Sequence, residues 1–175
     1  MAADVRPILR LPDDRLRAAA RPAGLPDPAV DQLLDDLLAT MAAARGLGLA
    51  APQVGVDLRV AVVEVAGARL ELINPRIVGA HGRDRGWEGC LSVPDRVARV
   101  ERPAEVVVAG IDRAGRAIRQ RCAGLLARAV AHEVDHLDGR LYVDMIDPAD
   151  LVDTREQPTP PAAPRAQTPA GGRRR

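Results

Sequence analysis

The pentapeptide at residues 132–136, His-Glu-Val-Asp-His, has the clearest capacity for chemistry in the sequence. On an α-helix, residues four apart lie on one face, so His132 and His136 can reach one cation while Glu133 stands beside it as a base. Only three histidines occur in the chain, and two of them belong to this motif. The spacing therefore favours a metal-dependent hydrolase over a solvated or structural helix face.

A catalytic zinc-type site takes three protein ligands and leaves a fourth position for water, so a third donor is needed. No histidine follows His136, and His81 lies in a polar Gly/Arg segment that predicts a surface loop. Two cysteines remain as candidates. Cys90 follows Gly89, which would let the backbone approach an ion, and a thiolate is a strong ligand for zinc or iron. We therefore favour Cys90 as the third ligand.

Cys122 ends an alternating stretch and precedes Gly124, which favours a small packed residue at a strand end. A disulfide between Cys90 and Cys122 is the alternative interpretation. It is less favoured because the chain has only two cysteines and no signal peptide.

Three separated motifs resemble those of the peptide deformylase family. They are GLGLAAPQ at residues 46–53, EGCLS at residues 88–92 and HEVDH at residues 132–136. The resemblance implies a hydrolase that removes the N-formyl group from nascent peptides beginning with formyl-methionine, and that releases formate. A divalent ion held by Cys90, His132 and His136 would lower the pKa of its bound water, and Glu133 would accept the proton as general base.

The resemblance also implies substrate positions. The Gln53 amide and the Leu91 backbone N–H would hold the developing oxyanion. Gly46 and Gly48 would contact the peptide backbone, because glycine lets a peptide lie close against a strand. The apolar pocket for the methionine side chain is expected at Leu47, Leu125 and Ala129.

Two acidic residues, Glu88 and Asp135, adjoin the ligands in sequence. We expect them to orient a histidine or to pair with an arginine such as Arg102, and solvated charge is the alternative. Two positions depart from the family's pattern. Ala131 stands where a glutamine is frequent, and Arg128 takes a position that is apolar in some members. We expect the stem of Arg128 to line the pocket while its guanidinium reaches water.

Ligation by one cysteine and two histidines suits iron or zinc, and the resemblance favours one ferrous ion, with Zn2+ as the alternative. Two other functional hypotheses stay open. The protein could be another metal-dependent peptidase, or a catalytically impaired deformylase-like protein that binds metal and peptide.

The composition is that of a single globular domain without a strongly charged surface. Of 175 residues, 47% are apolar, and the formal net charge is +1. This charge excludes the usual strongly basic nucleic-acid footprint. No stretch resembles a leader peptide or a membrane span. We expect a cytoplasmic monomer that acts on N-formylmethionyl nascent chains, with at most a transient contact to the ribosome.

The periodicity predicts an α+β fold with antiparallel hairpins packed around a C-terminal metal-binding helix, preceded by an N-terminal helix. The N-terminal helix would begin after Asp27 as N-cap, with Pro28 in its first turn, and Gly46 would end it. The hairpins are expected at residues 59–65 with 68–73 and at 105–111 with 117–122, and the metal helix at 125–137. Residues 1–154 would form the catalytic domain, and residues 155–175 a disordered Pro/Arg-rich tail.

Overall fold

The computed structural model describes residues 3–24 and 27–156. Its helices are α1 (Pro28–Ala43) and α2 (Gly124–Leu137), and its strands are β1 (Gly48–Ala50), β2 (Val60–Val65), β3 (Ala68–His81), β4 (Asp84–Cys90), β5 (Val93–Arg102), β6 (Glu105–Ile111), β7 (Ala117–Ala123) and β8 (Val152–Asp153). The predicted α+β class, with an N-terminal helix and a C-terminal helix among antiparallel strands, is confirmed. The predicted tail lies outside the described residues from position 157 onward, and the domain boundary at 154 stays a prediction.

Helix α1 begins as its sequence predicts. The Asp27 carboxylate accepts a hydrogen bond of 2.8 Å from the Ala29 N–H, which satisfies one of the free donors of the first turn. The prediction that Gly46 ends this helix is right in part. The Gly46 N–H donates to the Met41 carbonyl at 2.9 Å and so closes the last turn, but the helix ends at Ala43 and the left-handed residue is Arg45, with φ 55°. Gly46 also provides space, since a Cβ there would lie 2.9 Å from the Leu91 side chain.

A five-stranded antiparallel sheet forms the larger layer, in the order β1-β2-β3-β6-β7. Both predicted hairpins are confirmed, as β2 with β3 and β6 with β7. Strand β3 is longer than predicted and reaches His81, because residues 68–73 pair with β2 and residues 73–81 pair with β6, across two register shifts. His81 is therefore an exposed strand end rather than a loop residue.

A second sheet, in the order β4-β5-β8, carries the EGCLS motif at the end of β4. The sequence did not predict these strands, because the β4 segment is rich in Gly and charge rather than in β-branched residues. The register of β4 and β5 shifts between Gly89 and Cys90. Such an irregularity changes the direction of a side chain, and here the side chain affected is that of Cys90.

Helix α2 packs against the five-stranded sheet and is buried along most of its length. Ala127 and Val130 join the aliphatic cluster formed with Val106, Val108 and Cys122. Cys122 is thus a packed residue, as expected. Both cysteines are free thiols, so the disulfide interpretation is wrong.

The segment before α1 is fastened to that helix by one buried carboxylate. Asp36 accepts hydrogen bonds from the Asp4 N–H (2.9 Å), from Arg6 Nε (2.8 Å) and from Gln32 Nε2 (2.8 Å). Burial opposes the charge of Asp36, but these hydrogen bonds outweigh it and lower the pKa of the carboxyl. The ionised form therefore stabilises the fold.

We predict that Asp36→Asn lowers the free energy of unfolding at pH 7 by about 1–3 kcal/mol, since hydrogen bonds to a charged acceptor are lost. Because the folded-state pKa is lowered, this contribution is present above the ordinary carboxyl range, about pH 4, and is lost as the pH falls below it. Urea unfolding of the parent and the variant at pH 7, and again below pH 4, measures this contribution to the free energy of unfolding. Asp150→Asn, at an exposed position, is the control. An equal loss for both variants at pH 7 would refute the prediction.

Candidate active site

One cysteine and two histidines meet at the end of β4 and the middle of α2. Cys90 Sγ lies 3.2 Å from His136 Nε2. Ligand atoms of Cys90, His132 and His136 all lie within 4.8 Å of one another. A tetrahedral ion with bonds of about 2.0–2.3 Å keeps its ligand atoms roughly 3.5 Å apart, so the spacing suits one metal ion.

The thiol of Cys90 is held by its neighbours. The Ser92 N–H donates to Sγ at 3.4 Å, and Gln53 Nε2 approaches it at 3.6 Å. The same Gln53 amide donates to Ser92 Oγ at 3.1 Å, while its Oε1 accepts from the Ala50 N–H at 2.9 Å. The amide donor of Gln53 is thereby fixed facing the cysteine.

The Glu88 carboxylate orients His132 from the side opposite the ligand position. Its Oε2 lies 3.0 Å from His132 Nδ1, which leaves Nε2 for the cation. Arg102 donates to both Glu88 oxygens, at 2.8 and 3.0 Å, and also pairs with Asp135. Burial opposes the charge of Glu88, but the hydrogen bonds from His132 and Arg102 lower its pKa to about 2. The expected pairing of Glu88 and Asp135 with Arg102 is confirmed.

The Glu133 carboxylate is buried beside the three ligand atoms, and one of its oxygens differs from those of Glu88. The residue is 4% exposed, and its Oε2 has no hydrogen-bond partner among the described residues. Burial raises the pKa of Glu133 to about 7, although the charge of His132 opposes this. Gly48 packs directly against it, since a Cβ at Gly48 would lie 2.4 Å from Glu133 Oε1. A carboxyl with a pKa near neutrality is suited to accept and return a proton.

The electrostatics of the histidines also suit a cation. Burial opposes protonation of His132, but hydrogen bonds with Cys90 and Glu88 outweigh it and raise the pKa of the imidazole to about 10. A bound cation would take the place of that proton. Burial and the charge of His132 lower the pKa of His136 well below its ordinary value, so this imidazole is neutral and ready to act as a ligand.

A cavity of about 620 Å³ opens beside these residues. All the predicted site residues except His136 line it: Gly46, Leu47, Gly48, Gln53, Cys90, Leu91, Leu125, Ala129, His132 and Glu133. His136 lies behind them, 1% exposed. Two apolar side chains at the cavity, Leu47 and Leu125, are 47% and 52% exposed. Exposed apolar side chains at a cavity are typical of a ligand-binding surface.

The expectation for Arg128 is half right: the residue lines the cavity, but the predicted exposure of its guanidinium is wrong. Its guanidinium does not reach water, since the residue is 5% exposed and pairs with Glu88 and Asp84 at 2.8 Å. The sequence carries a signal for this arrangement. Asp84, Gly86 and Glu88 alternate along β4, and alternate residues of a strand share one face. Two acids on one face, separated by a residue without a side chain, can receive a buried arginine.

A Cys/His/His ligand group, a buried carboxylate beside it and a cavity that can take the end of a peptide define a metal-dependent hydrolase. The family model of polypeptide deformylase matches residues 5–151. The peptide deformylase of Heliobacterium modesticaldum is 48% identical over 140 residues, which cover 80% of this chain and 93% of that protein.

Solved structures agree in fold. The crystal structure of a peptide deformylase from Legionella pneumophila superposes with a TM-score of 0.81 at 44% identity, and covers 83% of this chain and 88% of that one. A class I type b peptide deformylase from Acinetobacter baumannii, crystallised with Met-Ala-Ser bound, gives 0.78 at 34% identity and covers 83% and 100%.

The chain therefore belongs to the peptide deformylase family, and its activity is the metal-dependent hydrolysis that removes a formyl group from polypeptides. The first of the three functional hypotheses is confirmed. In the part of the chain that the structure describes, no helix has the length and apolar character needed to cross a membrane.

We predict that Gly48→Ala lowers kcat on the order of 100-fold, because the new Cβ displaces the Glu133 carboxylate, the expected general base, and displacement of such a group is this costly. The metal content should not change, since the three candidate ligands are untouched. Formate release from a formyl-Met tripeptide and metal analysis measure both quantities. Gly24→Ala is the matched control, since nothing lies within 4 Å of a Cβ there. An unchanged kcat in Gly48→Ala would contradict the prediction.

Proposed function

We propose that Cys90, His132 and His136 hold one divalent ion and that Glu133 is the general base of formyl hydrolysis. The observation that carries this proposal is the buried Glu133 carboxylate, without a hydrogen-bond partner for Oε2 among the described residues, beside three convergent ligand atoms. A buried polar atom of this kind requires a reason to exist, because leaving it unpaired costs free energy.

The donor set fits a metal ion in charge and in geometry. Thiolate and imidazole are ligands that iron and zinc accept, and Glu88 supports the imidazole of His132 from behind. When bound, the ion acidifies a coordinated water and polarises the carbonyl of the substrate. We propose ferrous iron as the native ion, with zinc as the alternative, and metal analysis of protein prepared without oxygen distinguishes them.

Glu133 would take the proton that the attacking water loses and later deliver it to the leaving amine. Because its pKa is about 7, this carboxyl can both accept a proton and donate one at neutral pH. The backbone of Gly48 packs against the Glu133 side chain and so limits the orientations that the carboxylate can take. Formate and a free amino terminus are the products.

The developing negative charge on the formyl oxygen needs donors that are already in place. The Gln53 amide is 2% exposed and is fixed at both ends by Ala50 and Ser92. We assign the oxyanion role to this amide and to the backbone N–H of Leu91, which lines the same cavity.

The substrate would enter with its methionine side chain against Leu47, Leu125 and Ala129. Gly46 and Gly48 lie on the same cavity, where a peptide backbone can approach them. The Acinetobacter baumannii structure supports this arrangement because a peptide that begins with methionine, Met-Ala-Ser, is bound to that protein.

The substrates would be formylated nascent chains, so we propose that the protein acts in the cytoplasm and contacts the ribosome transiently. We also propose that it is a monomer. Deletion of residues 156–175 tests whether the arginine-terminated tail contributes to salt-dependent ribosome binding.

We predict that Glu133→Gln lowers kcat by about 10²–10⁴-fold, the usual contribution of a general base. KM and the metal content should stay near those of the parent, because the isosteric amide keeps the shape of the site. Glu101→Gln, on the surface of β5, is the control. Formate release at the parent rate by the metal-loaded Glu133→Gln protein would exclude Glu133 as the base.

A further inference from the structure

Arg128 extends from α2 into a set of acceptors on the second sheet. Its Nη1 donates to Glu88 Oε1 at 2.8 Å and to the carbonyls of Val100 and Gly86 at 3.0 and 3.3 Å. Its Nη2 donates to both the carbonyl and the carboxylate of Asp84, each at 2.8 Å. One side chain thus bonds to three alternate residues of β4 and to one residue of β5.

The site for this guanidinium is built into the strand. A Cβ at Gly86 would lie 2.9 Å from Nη2 and 3.0 Å from Cζ of Arg128. Real Cβ atoms are not found at the shorter of these distances, so any side chain at Gly86 would displace the guanidinium. The absence of a side chain there, with an acid on either side of it on the same face, matches the planar arginine fork.

The contact between Arg128 and β4 affects the metal site, because the ligands are divided between β4 and α2. Cys90 ends β4, whereas His132 and His136 lie on α2, so the ligand group exists only while strand and helix keep their separation. Glu88 Oε1 accepts from both Arg128 and Arg102, and Glu88 Oε2 meets His132.

We propose that Arg128 is a positioning residue for the metal centre: by fastening β4 to α2 and sharing Glu88, it fixes Cys90 relative to the two histidines and so sets how firmly the ion is retained. The inference rests on the ligand assignment proposed above. Removal of the side chain leaves Glu88 with Arg102 and His132 as its remaining partners, and releases Asp84 and Gly86 from the helix.

A second role for Arg128 makes a different prediction. The residue also lines the cavity, so it could act only as a wall of the substrate pocket. A wall residue would change KM for the formylated peptide and leave metal retention untouched. A positioning residue would change metal retention and leave KM of the fully loaded protein close to that of the parent.

The test compares Arg128→Met, which keeps an unbranched apolar stem, with Arg83→Met, an exposed arginine paired with Glu101. Transfer of the bound ion to a chelator is timed for each protein, and kcat and KM are then measured at saturating metal. We expect Arg128→Met to lose the ion about 10-fold faster than the parent, as for other residues that support a ligand, while Arg83→Met does not. Equal loss rates for the two variants, or a change in KM alone, would overturn the inference.

Gly86→Ala tests the same contact without removing any charge. Its Cβ should displace the guanidinium and accelerate metal loss, and in the Arg128→Met background it should add little, because the contact is already broken. Additive effects of the two substitutions would contradict the inference. Circular dichroism of each protein without metal establishes that the variants are folded, and Arg128→Lys should recover part of the retention because it keeps a cation near Glu88.

His132→Ala separates this inference from the ligand assignment. If that variant retains the ion like the parent, the ligand assignment is wrong. If it loses the ion while Arg128→Met does not, the ligands stand and only the role of Arg128 is refuted.

Discussion

The carboxylate of Glu88 is buried between two arginines and a histidine, and a buried charge is stable only while its partners stay in place. Glu88 lies on β4, two residues before Cys90, whereas Arg128 and His132 lie on α2. The carboxylate therefore joins the element that carries the cysteine to the element that carries the histidines. Its charge also holds His132 with one nitrogen turned toward the ligand position, so orientation and separation are set by the same group.

The aliphatic core supplies the rigid frame for this network. Helix α2 is buried on two sides, with Ala127 and Val130 against the five-stranded sheet and His132 and Glu133 against the cavity. A side chain on a helix packed in this way has little freedom to move, which suits residues that need fixed geometry. The chain reaches this packing with small aliphatic residues, since its only aromatic residues are one tryptophan and one tyrosine.

Much of this arrangement could be predicted from the sequence, for identifiable reasons. The His-x-x-x-His spacing is local, so one helix places both imidazoles whatever the rest of the fold does. The hairpins of β2 with β3 and β6 with β7 follow from runs of apolar and β-branched residues separated by short turns. Strand β4 was missed because its buried carboxylate, Glu88, meets arginines rather than an apolar core. Strand β5 was missed although Ala98 and Val100 are buried, because charged residues alternate with its apolar ones. The burial of Arg128 depends on partners some forty residues away in the chain, which periodicity does not show.

X-ray absorption at the metal edge of the protein as purified without oxygen tests the central claim most directly. The account predicts one sulfur ligand at about 2.3 Å and two imidazole nitrogens at about 2.0–2.1 Å, with the sulfur signal lost in Cys90→Ala and kept in Cys122→Ala. A first coordination shell of nitrogen and oxygen alone, or a sulfur signal that follows Cys122, would contradict it.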